Sequence, residues 1–568
     1  MASGGGVLNP AFSEKMRGSK PRSLKLRLVQ TTFNSSKFCR ARQSVYIRRE
    51  PSKSVAVFKK STTVFTIFQF IVFCVSAQPA SQPAFVSDSL DAYVERAMQL
   101  WQIPGVAVGI VKNGQLVMAK GYGVRELGKP EKVDANTLFM IGSNSKAFTG
   151  TALAMLENEG KCSLEDPVKK YLPNLDMKDN WVEERINLQD IVSHRTGMET
   201  FQGDFMYWTS DLTQQQVLEK FGKLKPIYPF RTKWGYCNAG FLTAGMCIEK
   251  ISGQSWADFI RQRIFQPLGM DRTLALSAEI PNATNAARAH TLDEGVLKWI
   301  PYPKIDNLAP AGSISSSVED MSHWVIAQLG NGNYNGEEVI APAVIQRTRE
   351  PLSIIGRQTS TNTDIRRHYA LYAMGWELTD YDGREIVSHT GGVNGFVTSV
   401  TLMPEENLGV IVLTNTDQNW FFVALKWEIV DAYLGRPYQN YSALYLQNFE
   451  QNRKEEAANL RAWRDTIATS PATALSLDMF TGRYDNEAYG WIDIQKEGKN
   501  LKVIFQHHSN LIGKLQALGG NRFLLTFNDV TFGVKPVHFN LDAGKVKNFI
   551  LAMADFVEFT KYEFVKRK

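Results

Sequence analysis

Phe139-Met140-Ile141-Gly142-Ser143-Asn144-Ser145-Lys146 leads into a segment whose apolar residues Phe148, Ala152, Met155 and Leu156 recur at helical spacing up to Gly160. A helix is expected to begin at or just before Ser143 and to end with Gly160 as its C′ residue. Ser143 and Lys146 then share one helical face, with the serine at the N-terminus. A serine hydroxyl is a weak nucleophile until a base takes its proton. A lysine three residues on can do so if desolvation or neighbouring charge lowers its pKa. N–H groups of the first turn can donate to the developing oxyanion. Taken alone, Ser-x-x-Lys arises by chance about once or twice in a chain this long, and a surface Ser/Lys pair is the default.

Upstream, residues 105–124 read as two strands joined by an Asn113-Gly114 turn, residues that accept the positive φ such a turn needs. Downstream, residues 160–345 alternate helical patterns with loops at Asp166-Pro167, Leu172-Pro173 and Pro267-Leu268-Gly269-Met270, a mostly helical insertion. Strand signals return at 373–378, 385–389, 396–403 and 410–414, with turns at Asp382-Gly383 and 404–409, followed by a helix at 421–434. These alternating runs suit an antiparallel sheet that takes the opening hairpin as partner. A polar helical linker, 439–467, ends at Ser470-Pro471. Beyond it, strands at 480–484, 491–495, 501–505, 514–518, 523–527, 537–541, 546–551 and 556–562 argue for a small up-and-down barrel or sandwich. The expected fold class is α+β: an antiparallel sheet flanked by helices with a helical subdomain, plus a small C-terminal antiparallel β-barrel. The expected domains are a leader at 1–77, a main domain at 78–435, a linker at 436–475 and a β domain at 476–568.

The chain has 568 residues, 44% hydrophobic and 21% charged, an ordinary globular composition that excludes collagen-like, coiled-coil and mainly disordered readings. Its net charge of +7 comes from residues 1–60, which hold 14 Lys and Arg against Glu14 and Glu50, so 50 bases and 55 acids remain beyond them. The balance gives no support to nucleic-acid binding. Lys59-Lys60, an apolar run at 64–75 and the small-x-small end Val75-Ser76-Ala77 form the layout of a secretory signal with cleavage after Ala77. Periplasmic or secreted export is the first expectation, with a true start near Lys59. The alternatives are an organellar transit peptide in residues 1–60 and membrane association through a retained anchor. Of five Cys, only Cys162, Cys237 and Cys247 follow the leader, with neither disulfide-framework nor zinc spacing, so no metal or other cofactor is expected.

Two further segments could carry chemistry. Tyr236-Cys237-Asn238 opens the apolar helix 241–251, and in an extended segment Tyr236 and Asn238 point the same way, a phenol for proton transfer and an amide for a carbonyl. The bland alternative is a packed ring and a helix-capping Asn. His389-Thr390-Gly391-Gly392 ends an expected strand, where two glycines would let a substrate backbone approach and leave the Gly392 N–H free. The bland alternative is a strand-end turn with a solvated His. His507-His508 is read as surface or barrel-lining.

Ser-x-x-Lys, Tyr-x-Asn and His-Thr-Gly, in this order, resemble the serine β-lactamase and penicillin-binding protein superfamily, in particular the class C β-lactamase-like serine hydrolases. Supporting stretches are Phe139-Met140-Ile141-Gly142, Asp166-Pro167-Val168-Lys169-Lys170-Tyr171-Leu172-Pro173, Ile191-Val192-Ser193-His194-Arg195-Thr196-Gly197-Met198, Pro267-Leu268-Gly269-Met270-Asp271-Arg272-Thr273 and His389-Thr390-Gly391-Gly392-Val393-Asn394-Gly395-Phe396. The resemblance covers roughly residues 86–435, and residues 476–568 resemble the lipocalin-like β domain often appended to such hydrolases. It implies a β-lactamase/transpeptidase-like sheet, with Ser143 as the acylated nucleophile and Lys146 as its partner in proton transfer. Tyr236 would be the general base and Asn238 would hold the substrate amide. His389 and Thr390 would bind a carboxylate or orient Tyr236, with Gly391 beside them, and the N–H groups of Ser143 and Gly392 would form the oxyanion hole. Asp166 and His194 are read as structural, a helix cap and a hydrogen-bonded turn. Many relatives carry Lys where His389 stands, so a preference for carboxylate-bearing substrates does not carry over. The resulting expectation is a serine hydrolase acting on small-molecule or peptide substrates: D-amino-acid peptides, small esters or, weakly, β-lactams. The alternative is a catalytically silent scaffold or binding module of the same fold. Oligomeric state is left open.

Overall fold

The computed structural model describes residues 82–357 and 367–568. The expected leader and its apolar run lie outside the described residues. Helix α1 (Leu90–Trp101) turns Leu90, Tyr93, Val94, Ala97, Met98 and Trp101 inward at three- and four-residue spacing. Strands β1 (Gly105–Lys112) and β2 (Gln115–Gly123) form the opening hairpin, with Asn113 and Gly114 at φ 54° and 74°. Then follow α2 (Ser145–Asn158), α3 (Asn238–Ser252), β3 (Ala289–Asp293), β4 (Val296–Ile300) and α4 (Val318–Leu329). Strands β5 (Ser353–Arg357), β6 (Tyr369–Tyr372), β7 (Glu377–Tyr381), β8 (Arg384–Val393), β9 (Phe396–Met403) and β10 (Leu408–Thr414) precede helices α5 (Phe421–Tyr433) and α6 (Tyr441–Ala468).

One antiparallel sheet runs β2-β1-β10-β9-β8-β7-β6-β5. Its central strands are apolar on both sides because helices cover both faces. Val106, Val108 and Ile110 of β1, with Val410 and Val412 of β10, face the layer of α1 and α5. Ala107, Val111, Ile411 and Leu413 face the layer that holds α2, α3 and α4.

Three secondary-structure expectations for this domain need correction. No strand covers 373–378: β6 ends at Tyr372, β7 begins at Glu377, and between them Gly375 stands at φ 85°. A Cβ on Gly375 would lie 2.4 Å from the Lys146 carbonyl oxygen, so this apolar stretch is a turn pressed onto α2. Strand β8 does not end at His389 but runs to Val393, because β9 pairs with it as far as Val393↔Phe396. The helical region 160–345 also contains the β3–β4 hairpin, turned at Glu294-Gly295 with both φ positive.

Strands β11 (Gly482–Asn486), β12 (Gly490–Glu497), β13 (Asn500–Phe505), β14 (His508–Gly519), β15 (Arg522–Phe527), β16 (Val534–Asp542), β17 (Lys545–Leu551) and β18 (Tyr562–Lys566) close into an up-and-down barrel by β11–β18 pairing. Aromatic rings fill its interior: Phe480, Phe523, Phe539 and Phe549 pack with centroids 5.0–5.4 Å apart. The last strand begins at Tyr562 rather than 556, because Phe556 and Phe559 belong to a loop that leaves the barrel and packs on Trp208 and Phe201 of the main domain. Of the pair expected on the surface or lining the barrel, His508 is buried. Its ring stacks on Phe205 (5.6 Å, 6°), its Nδ1 meets the Tyr489 hydroxyl and its Nε2 the Trp208 carbonyl oxygen, sealing the barrel against the main domain.

Candidate active site

Ser143 sits in a single 3₁₀ turn, Gly142–Asn144, that feeds directly into α2. Gly142 is at φ 53°, and a Cβ there would lie 2.8 Å from the Gly392 nitrogen. A Cβ on Gly391 would lie 1.8 Å from the Ile141 carbonyl oxygen. The Gly391 position therefore admits the protein's own Ser143 turn against β8, not a substrate backbone. Thr398 Oγ1–H donates to the Ile141 carbonyl (2.9 Å), and Asn144 Nδ2–H donates to Thr398 Oγ1 (2.9 Å), pinning the turn to β9. The result sets the Gly392 N–H beside the serine turn. On its far side β8 pairs with β7 only from Arg384 to Ser388, so residues 389–393 form a strand segment extending past that partner.

Lys146 is buried under this turn. Its Nζ lies 2.7 Å from Asn238 Oδ1, 2.7 Å from the Ala311 carbonyl oxygen and 3.0 Å from Ser143 Oγ. The first two partners can only accept, so they take two N–H bonds. A neutral amine then has its lone pair left for the Ser143 O–H, whereas an ammonium donates its third N–H to Oγ. Burial pulls the lysine down to about 7, against the opposing pull of Asp204 and Cys237. Both forms are thus populated near neutrality.

Tyr236 precedes α3, with its ring 4.7 Å from Lys146 Nζ and its hydroxyl hydrogen-bonded to Ser143. Burial holds the phenol well above its ordinary value despite that bond. The phenolate needed for the general-base role expected of Tyr236 is disfavoured, and the amine beside it is the group poised near neutral pH. Asn238 opens α3 without capping it. Its Oδ1 accepts from Lys146, and its Nδ2 donates to Asp204 Oδ2 at 2.6 Å. Each amide end thus has one partner inside the protein. Cys237, between the two, is buried and its thiol is pushed up to about 12, which makes it inert.

On the strand side, His389 is buried, its Nδ1 2.6 Å from the Thr390 carbonyl oxygen and its Nε2 2.9 Å from the Tyr372 hydroxyl. The carbonyl can only accept, so Nδ1 carries the proton and Nε2 accepts from Tyr372. Burial and then the charge of Lys146 depress this imidazole to about 3. His389 is therefore neutral and cannot ion-pair with a substrate carboxylate. Its ring stands 6.2 Å from that of Tyr236. Thr390 is buried beside it.

Among the expected site residues, the structure thus brings Ser143, Lys146, Tyr236 and Asn238 into one hydrogen-bonded group and sets Gly391 and Gly392 against the serine turn. Asp204 and the Ala311 carbonyl complete the group, Tyr372 holds His389 on the strand side, and none of the three was read from the sequence. The only signal for Asp204 was an acid heading the apolar run Phe205-Met206-Tyr207-Trp208. His194 does sit in a left-handed turn (φ 61°), where its Nδ1 accepts the Cys237 N–H. Its ring also packs 4.3 Å from that of Tyr236. Asp166 caps no helix: it closes a turn by accepting from the Ser163 N–H, the Tyr171 O–H and Lys170. Among the described residues no cluster of His, Cys, Asp and Glu could hold a metal ion. A groove of about 640 Å³ lies between the β3–β4 hairpin and Asp306–Asn307, lined by Trp299, Tyr302 and Asp211 among others.

Residues 90–434 match the family model described as beta-lactamase, and residues 468–566 match a domain of unknown function, DUF3471. Unguisins hydrolase ungD' of Aspergillus campestris is 28% identical over 438 residues, 74% of this chain and 78% of that protein. Protein flp of Staphylococcus aureus is 27% identical over 344 residues, 58% of this chain and 63% of flp. The octameric penicillin-binding protein homologue from Pyrococcus abyssi shares the fold, with a TM-score of 0.54 and 21% identity over 84% of this chain and 99% of that one.

Proposed function

The chain belongs to the beta-lactamase family, and from that premise we propose that it is a serine hydrolase that forms an acyl-enzyme on Ser143. The observation that carries this reading is the environment of Lys146: two acceptor-only partners fix the amine, and its third direction meets Ser143 Oγ. In acylation the neutral Lys146 takes the Ser143 proton while Oγ bonds to the substrate carbonyl carbon. The N–H groups of Ser143 and Gly392 stabilise the oxyanion. As the tetrahedral adduct collapses, Tyr236 passes its phenolic proton to the departing amine or alkoxide and is reprotonated by the Lys146 ammonium. Water then attacks the ester by the same steps in reverse, releasing the acid and restoring Ser143.

The substrates are amides or esters: D-amino-acid peptides, small esters or, weakly, β-lactams. The neutral His389 supports uncharged substrates at the strand side. That a relative is named a hydrolase supports hydrolysis over a silent scaffold. Export through the segment ending at Ala77 is part of the proposal, and sequencing the N-terminus of the mature protein tests it. The central experiment is intact mass after incubation with a fluorescent penicillin, p-nitrophenyl acetate and butyrate, and D-Ala p-nitroanilide, beside Ser143→Ala. An adduct or turnover that disappears in the variant supports the reading. Folded protein inert to every donor overturns it.

A further inference from the structure

Glu558 lies in the barrel loop between β17 and β18, is buried, and reaches into the main domain. Its Oε1 accepts the Gly203 N–H at 2.8 Å and its Oε2 accepts the Phe205 N–H at 2.9 Å. The Tyr562 hydroxyl donates to Oε1 and also lies 3.0 Å from the Gly203 nitrogen. The two N–H groups held in this way belong to the residues on either side of Asp204. Asp204 Oδ2 accepts from Asn238 Nδ2 (2.6 Å), and Asn238 Oδ1 accepts from Lys146 Nζ (2.7 Å). Hydrogen bonds and one stretch of main chain therefore run unbroken from the barrel to the amine beside Ser143.

A side-chain amide offers one acceptor end and one donor end. Asn238 keeps its oxygen toward Lys146 because Asp204 stands ready to accept from its nitrogen, and Asp204 stands there because its neighbouring peptides are clamped. We infer that Glu558 is a positioning residue, contributed by the barrel, that holds Asp204 and through Asn238 fixes the place and proton affinity of Lys146. The inference rests on the acyl-enzyme reading above.

The electrostatics around the chain give the inference a sign. Lys146 faces Asp204, Cys237, His194, His389 and Tyr236. Asp204 faces Lys146, Cys237, Tyr207, Tyr236 and Glu558, and Glu558 faces Tyr562, Tyr207 and Asp204. Burial pushes both carboxyls up, and the proximity of Asp204 pushes Glu558 further. Glu558 keeps its proton to about 8, above Asp204 at about 7, so it acts on Asp204 through the N–H groups it clamps and not through its charge. Loosening that clamp lets Asp204 draw away, its charge then supports the Lys146 ammonium less, and the acid limb of activity should move to lower pH.

The test is kcat and KM against pH for the full chain with p-nitrophenyl acetate, comparing the parent with Glu558→Gln. Glutamine can accept from only one of the two N–H groups and sets its own NH₂ against the other. The expected result is a kcat lower by about tenfold with KM little changed and an acid limb displaced downward by about half a pH unit. Tyr562→Phe keeps the carboxyl and both N–H bonds but removes the hydroxyl that donates to Oε1 and steadies the clamp. It should move the limb the same way by less, and it provides the measurement if Glu558→Gln fails to fold. An unmoved acid limb overturns the inference, whether or not the rate falls, since a rate loss alone marks a merely structural contact. If the parent forms no Ser143-dependent adduct by intact mass, the acyl-enzyme reading has failed and the inference falls with it.

Discussion

The two groups of side chains that meet at Ser143 are electrostatic opposites. On the helix side, Lys146, Asn238 and Asp204 form a chain in which burial brings amine and carboxyl both to about 7. On the strand side, His389 and Tyr372 are just as buried, yet their titrations are driven far from neutrality in opposite directions, the imidazole down and the phenol up. Desolvation acts on both and penalises whichever form is charged. The difference is the company: Lys146 has Asp204 to hold its charge, whereas His389 meets a carbonyl, a hydroxyl and the positive field of Lys146 itself. In the proposed mechanism proton traffic is thereby confined to one side of the serine, and the strand side supplies shape and hydrogen bonds.

Substitutions can break that contrast. Ser143→Ala removes the proposed nucleophile and should lower kcat by about 10³-fold or more, with no covalent adduct by mass. Lys146→Met keeps the length and removes the proposed base, and should cost about 10²- to 10⁴-fold in kcat. In the parent, kcat/KM should rise with pH through about 7, because the active form is the neutral amine. A bell centred well below 7 would break the assignment. Tyr372→Phe leaves His389 Nε2 buried without its donor and should cost about 1–3 kcal/mol of stability by denaturant titration, with a smaller effect on rate.

The strand side also makes the fold acid-sensitive. His389 is held at about 3 in the native state, while an unfolded histidine titrates near ~6.5. Between those values the unfolded chain binds more protons, so stability is intact above that range and falls as pH drops through it. His194, also depressed, acts in the same sense. Melting temperature against pH checks this, and His389→Gln should flatten the slope. The smallest effect concerns substrates: adding a free carboxylate should change kcat/KM by no more than about threefold, as expected where no cation awaits it.

What could be read from the sequence follows the same division. Ser143 and Lys146 lie three residues apart on one element, so local spacing reveals them. The barrel strands alternate in short regular runs, which exposed them except where the aromatic loop Phe556–Phe559 mimics a strand. Asp204, Tyr372 and Glu558 come from distant segments, and no local pattern marks a polar group whose partner is supplied by tertiary packing. Ala373-Met374 and Trp376 looked like strand because a turn buried against a helix is as apolar as a sheet. The charge of His389 was open for a similar reason, since it depends on burial.

The position of β1 has a consequence for the nascent chain. It is hydrogen-bonded on one side to β2, its immediate neighbour, and on the other to β10, where Val106 pairs with Thr414. During synthesis the hairpin must wait for some three hundred residues before its second flank is covered, with valine and isoleucine edges bare in the interval. Such late, long-range closure is slow and prone to association. The barrel pairs each strand with the next and can zip shut as it emerges. Misassembly of this protein should therefore begin at its first hairpin, and holdase chaperones should find their target there.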